Sequence, residues 1–169
     1  MAKQKYRKYT RDEQRALARW AADCAERVLP LFENAYPKDD RPRRAIETLR
    51  RWIKNGVFSM SEIRAASLGA HAAARAAKRT NDVATFAARA AGQAVGTAHV
   101  TQHTYGAALY ALKAVAQANP TTAAASAAEE RREQSRRCPA RLRSAVMSRI
   151  TIEQRGGRVL VRLQKGDDF

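Results

Sequence analysis

A chain of 169 residues is long enough to bury one full core and short for two. Its 45% apolar and 28% charged residues are the composition of a globular protein, which excludes a disordered chain. The 32 Lys and Arg against 16 Asp and Glu leave a net charge of +16, so nucleic acid, an acidic protein or an anionic surface all suit it as partners, and charge alone selects none.

Residues 1–9 form a basic arm. Thr10 and Glu13 have the spacing of a capping box and open a helix of about residues 11–29, with Leu17, Trp20, Ala21, Cys24 and Val28 as its apolar stripe. Pro30 is expected to kink or restart that helix, and Pro37 to end it. In the run Asp39 to Arg44, an aspartate before Pro42 is an ordinary helix start, with Asp40 as cap. The helix it opens runs to about Asn55, with Ala45, Ile46, Leu49, Trp52 and Ile53 inward and Glu47 able to pair with Arg43 or Arg51. Ser59 and Glu62 make a second capping box, opening a helix of about residues 60–79 that carries His71 beside its apolar face.

Asn81 or Thr80 caps the next helical stretch. The pattern from 82 to 118 is too long for one globular helix, and a break near Gly92–Thr97 divides it into about 82–94 and 97–118. The second piece reads as the central helix of the domain, because nothing charged stands between Arg89 and Lys113 and its side chains are mostly small. On such a helix His99 and His103 stand one above the other, near the line of Gly96, Gly106 and Tyr110. Asn119-Pro120 ends it, Thr121 or Thr122 begins a further helix through Arg137, and Pro139 starts a short one with Leu142, Val146 and Ile150 inward. The tail, residues 151–169, alternates around Gly156-Gly157, which is a hairpin signal. The expected fold is all-α: residues 10–150 as an antiparallel bundle of six to seven Ala-rich helices, followed by a hairpin-like tail.

Cys24 and Cys138 form neither a disulfide scaffold nor a metal cluster. Cys24 is expected to be buried, whereas Cys138 lies before Pro139 in a basic run that leaves room for exposure. The N-terminus is basic without an apolar signal core, and no stretch approaches the ~18–20 apolar residues of a membrane span. The expectation is a cytoplasmic protein with no membrane partner.

The run from Ala16 to Gly56, the AHAAARAA stretch around His71, the segment 89–114 and the element Cys138-Pro139-Ala140-Arg141-Leu142 together resemble the Imm-5-like family of bacterial immunity proteins. Trp20, Pro30, the Asp40-Arg41-Pro42-Arg43 turn, Glu47 and the pair His99/His103 carry that resemblance most specifically. It covers roughly residues 16–143 and implies an all-helical cytoplasmic protein that neutralises a polymorphic toxin. In that role Asp40, Arg41, Arg43 and Glu47 would make charged contacts, Trp52 or Tyr110 an apolar anchor, and His71, His99 and His103 would belong to a shared cleft.

Two other readings of the residues stand beside this one. His99 and His103 have the separation of a helical metal pair that His71 could complete, with Glu47 or Asp40 as a further ligand, but no HExxH accompanies them. Imidazoles hydrogen-bonded within an Ala-rich core account for the same residues more simply. Lys5, Arg7 and Lys8 with Tyr6 and Tyr9 could hold a nucleic-acid backbone, and Arg136 and Arg137 belong to a second basic patch. Neither patch matches a base-reading motif, so only salt-dependent binding to any polyanion follows. No nucleophile elbow, P-loop or dinucleotide fingerprint is present, and the chain is read as a non-enzyme with no cofactor.

Overall fold

The computed structural model describes residues 8–164; Lys5 and Arg7 of the N-terminal arm lie outside the described residues. Seven helices and one hairpin follow in chain order among them: α1 (Arg11–Glu33), α2 (Arg41–Asn55), α3 (Met60–Ala77), α4 (Asp82–Gly96), α5 (His103–Ala118), α6 (Ala123–Arg137), α7 (Arg143–Met147), β1 (Ile150–Arg155) and β2 (Arg158–Leu163). No helix among the described residues is long and apolar enough to cross a membrane.

The start signals act largely as the sequence states them. Thr10 and Glu13 form a complete capping box, the hydroxyl accepting from Glu13 N at 3.1 Å and the carboxylate accepting from Thr10 N at 2.9 Å. Ser59 and Asn81 cap α3 and α4 through Glu62 N and Ala84 N. Asp40 does not act this way: its side chain makes no cap bond, and Asp39 accepts from Arg41 N instead. Pro30 does not restart the helix, since α1 runs through it to Glu33. Pro30 and Glu26 are both exposed, so the Glu26 carbonyl that loses its donor lies on the solvent side of α1, and Asn34 N still bonds Pro30 O at 2.9 Å.

The helix expected over 97–118 is also shorter. Residues 97–102 form a chain of tight turns, with Thr97, Ala98 and His99 each bonding the carbonyl three residues earlier. The Gln14 amide of α1 reaches across and donates to Thr97 O at 2.9 Å and Ala98 O at 3.1 Å, holding carbonyls that the end of α4 leaves open. His99 therefore stands in the α4–α5 connection and His103 opens α5.

The central helix is α4, which packs against α1, α2, α3 and α5. Alanine and glycine make up most of its buried positions: Ala84, Ala87, Ala88, Ala90, Ala91, Gly92, Ala94 and Gly96 are all covered. Bulk comes from its neighbours, through Leu17, Trp20 and Phe32 of α1, Leu49 of α2, and Tyr105 and Leu112 of α5. Buried polar groups bind the layers together. Trp20 Nε1 donates to Gln134 O at 2.8 Å, Gln134 Nε2 to Ala108 O at 3.2 Å, and Thr104 Oγ1 to Leu17 O at 3.2 Å. Cys138 is buried in this core at 2% exposure, not open to solvent, because Leu142 and Val146 fold α7 back over it.

The hairpin is a two-stranded antiparallel sheet in the register Ile150↔Leu163 to Arg155↔Arg158. Its turn needs left-handed backbone at two successive residues, and Gly156 (φ 55°) and Gly157 (φ 76°) supply it. Two strands alone are marginal. Ile150 and Val161 are buried against the helices, and the Arg131 guanidinium of α6 donates to Ile150 O at 3.2 Å and Met147 O at 3.0 Å.

Ion pairs join the outer helices. Arg50 of α2 clamps Asp23 and Glu26 of α1 at 2.6 Å each, and Arg27 of α1 is bidentate on Glu130 of α6. Glu130 is only 5% exposed, so removing its partner leaves a carboxylate in the core. Arg27→Ala is expected to lower unfolding stability by about 2–3 kcal/mol in urea titration, whereas Arg44→Ala, which breaks the exposed Arg44–Asp40 pair, changes it by less than about 0.5 kcal/mol.

Candidate binding face around the histidines

The site is built on glycines. Gly92 and Gly96 stand one turn apart on α4, and each leaves room for an imidazole from a neighbouring helix. A Cβ at Gly92 would come within 2.8 Å of His71 Cε1 and Nε2, and one at Gly96 within 2.9 Å of His103 Cγ. The exchange is mutual, because Gly106 of α5 receives the Gln93 side chain of α4, whose Oε1 would be 2.7 Å from a Cβ there.

Gln93 Oε1 and His103 Nδ1 are 2.7 Å apart. An amide oxygen only accepts, so Nδ1 carries the proton and Nε2 keeps its lone pair. The His99 ring lies 5.2 Å from that of His103, tilted by 40°. His71 and His103 both have pKa values below the usual histidine range. Burial is the main cause for each, followed by Arg89 and Arg75 for His71 and by His99 and His71 for His103.

His99 separates two concavities. On one side is a cavity of about 940 Å³ whose wall includes Tyr9, Gln93, Val100, His103, Leu109 and Tyr110. On the other is a cavity of about 430 Å³ bounded by Gln14, Trp52, Phe58 and Met60. The structure thus brings His99, His103, Tyr110 and Trp52 to one face, with Lys8 at its edge.

The other expected site residues stand apart from both cavities. Arg41 is bidentate on Asp39, Arg43 is bidentate on Glu33 of α1, and Arg44 pairs with Asp40. Glu47 is exposed, and Arg43 takes Glu33 in its place because Glu33 presents its carboxylate from the end of α1. Arg51 likewise pairs with Glu62. The Asp40-Arg41-Pro42-Arg43 turn fastens α2 to its surroundings and does not meet the histidines in a cleft. His71 rests on Gly92 and lines neither cavity.

Among the described residues no group of three His, Cys, Asp or Glu side chains could hold a metal ion, so His71 does not complete a metal site with His99 and His103. Burial pushes the Cys138 thiol up to about 11 and the Cys24 thiol well above the ordinary range, which keeps both protonated. In the second basic patch, Arg136 and Arg137 share the Glu133 carboxylate, whose pKa they lower.

The profile of the family described as Imm-5 like putative immunity protein matches residues 7–141. The chain belongs to that family. The matched span takes in α1 to α6 and every residue of the histidine face except Leu163 of the larger cavity; β1 and β2 lie beyond it. No curated protein and no solved structure matches the chain.

Gln93, Gln14, Phe58 and Met60 are the members of this face that reading the sequence passes over. The Gly-x-x-x-Gly spacing of Gly92 and Gly96 was the available signal, since it marks a stripe where another group approaches the helix closely. It also separates two substitutions. Gly92→Ala meets the far end of the His71 ring, which can swing aside, and gains helix propensity. Gly96→Ala meets His103 at Cγ and, at 3.3 Å, at Cβ, where no rotation relieves the contact. Thermal unfolding should show Gly92→Ala within about 1 kcal/mol of the parent and Gly96→Ala destabilised by about 1–3 kcal/mol.

The histidines also set a pH dependence. Their pKa values are lower folded than unfolded, where imidazole titrates near ~6.5. The unfolded chain therefore takes up protons first as pH falls, and this part of the stability is complete above about 6.5 and lost as pH falls through the folded values. The melting temperature should drop as pH falls below about 6.5, and His103→Gln should reduce the drop.

Proposed function

We propose that this protein neutralises a protein toxin by covering it with the face around His99. Family membership supports an immunity role, and the location of the contact rests on one observation. Of the large apolar side chains exposed among the described residues, Val57 (70%) and Phe58 (47%) lie in the α2–α3 connection, Met60 (50%) opens α3 and Val100 (41%) stands next to His99, and only Leu68 lies elsewhere. Phe58 and Met60 edge the smaller cavity and Val100 the larger one, so exposed apolar side chains stand on both sides of His99. An apolar patch beside concave pockets marks a protein-binding surface, in which Phe58, Met60, Trp52 and Tyr110 act as anchors. His103, held neutral near pH 7, presents Nε2 as an acceptor at the centre of the patch.

In this reading the Asp40-Arg41-Pro42-Arg43 turn and Glu47 serve the fold and not the contact. The test is co-expression with the toxin-like product of the neighbouring gene, read as growth protection and as affinity of the purified pair. Phe58→Asp and Met60→Asp should each weaken the complex by about 2 kcal/mol, roughly thirtyfold, and abolish protection, while Leu68→Asp leaves both unchanged. Full protection by folded Phe58→Asp and Met60→Asp proteins would show that the contact lies elsewhere.

A further inference from the structure

Apart from Leu163, the hairpin stands outside the histidine face and carries a second surface. Arg155 and Arg158 close a two-residue turn and form a hydrogen-bonded pair, which fixes the alternation along β2. The N–H and C=O groups of Arg158, Leu160 and Arg162 point at β1, and those of Val159, Val161 and Leu163 point away from it. The sheet has only these two strands, and among the described residues nothing hydrogen-bonds to the outward groups. β2 is an open edge.

That edge forms one wall of a groove of about 740 Å³, with α5 and Phe86 of α4 opposite. Three cations line the groove, Lys113, Arg158 and Arg162, and no acidic residue among the described ones does. Arg162 comes no closer than 4.0 Å to Glu153, across the sheet. The Lys113 ammonium lies over the Phe86 ring at 5.9 Å and the Tyr110 ring at 5.6 Å, so it is held by aromatic faces and has no carboxylate partner among the described residues.

An open edge templates another strand, and charge decides which one. Two copies meeting edge to edge would set Arg158 and Arg162 of each against the other, which disfavours self-pairing. An acidic strand meets the opposite field. We infer that the β2 edge and the groove beside it take an extended acidic segment of a partner protein by strand addition. In an added strand, alternate side chains fall on opposite faces. One set joins the face of Arg158 and Arg162 and is acidic, and the other joins the face of Val159 and Val161 and is apolar. Single-stranded nucleic acid would answer the cations and the aromatic rings, but it has no strand-spaced donors and acceptors for the outward groups of β2. The inference does not rest on the toxin contact, although the two surfaces adjoin at Leu163 and Tyr110.

The probe is a fluorescent peptide of Glu-Val repeated four times, titrated with the full chain at low and moderate salt. It is compared with the same peptide N-methylated at alternate residues and with a thymidine octamer. The unmodified peptide should bind saturably, and N-methylation, which keeps the charge and removes the pairing donors, should weaken it at least about tenfold. Lys113→Glu and Arg158→Glu, with unchanged circular dichroism, should each weaken it by a similar factor. Equal binding of the N-methylated peptide, tighter binding of the octamer, insensitivity to both charge reversals, or no saturable binding of the unmodified peptide would each overturn the inference.

Discussion

The close approach of four helices to α4 is the constraint on which the rest of the structure depends. A helix whose buried positions are nearly all Ala and Gly contributes little apolar area of its own, so its packing is favourable only if larger side chains from elsewhere fill the space around it. The α1 helix does this with Leu17, Trp20 and Val28, and α5 does it with Tyr105 and Leu112. The division of labour gives the core its shape: one thin helix at the centre, bulk around it. It also explains the buried polar contacts. Helices drawn this near bring backbone carbonyls within reach of side chains from their neighbours, and Thr104, Gln134 and Ser67 each donate to one.

The histidine face follows from the same constraint. Where α4 reaches the surface its small residues become Gly92 and Gly96, and the space they leave is occupied by imidazoles and not by apolar side chains. A half-buried imidazole there is neutral near pH 7 and needs one partner, which His103 finds in Gln93. The result is a surface whose centre holds apolar side chains and a neutral His103, with Lys8, Arg11, Asp12 and Arg15 around it, on a chain whose net charge is +16. Such a surface can be desolvated against a partner at a lower cost than its arginine-rich surroundings.

Most of this fold was legible because its signals are local. Thr10 with Glu13, Ser59, Asn81, Pro42, Gly56 and the Gly156-Gly157 pair each mark an end or a turn within a few residues, and the structure uses them. Errors arise where a distant group decides. Residues 97–102 have no residue that forbids a helix; the amide of Gln14, more than 80 positions away, holds their carbonyls in turns. Pro30 breaks a helix only if the carbonyl it deprives is buried, and exposure of that side of α1 belongs to the fold. The partner of Arg43 could not be read from four-residue spacing either, since Glu33 comes from another helix. For the candidate face, the sequence pointed to His99, His103, Trp52 and Tyr110 but also to a charged turn that serves α2. Spacing along a chain cannot tell a polar group that faces a cavity from one that fastens a helix.

The distribution of charge connects these points. Asp23, Glu26, Glu33, Asp39, Glu130 and Glu133 all carry ion pairs to arginine, and most of these join one helix to another. The acidic residues are thus largely engaged in holding the bundle, and the excess of Lys and Arg is left to solvent. An apolar face gains from exclusion of water, which salt does not screen, whereas a cationic strand edge gains from Coulomb attraction, which falls as salt rises over a Debye length of about 8–10 Å. A chain built this way has two kinds of contact available. One is set by shape and apolar area, the other by charge and backbone pairing, and they answer differently to ionic strength because the physics behind them differs.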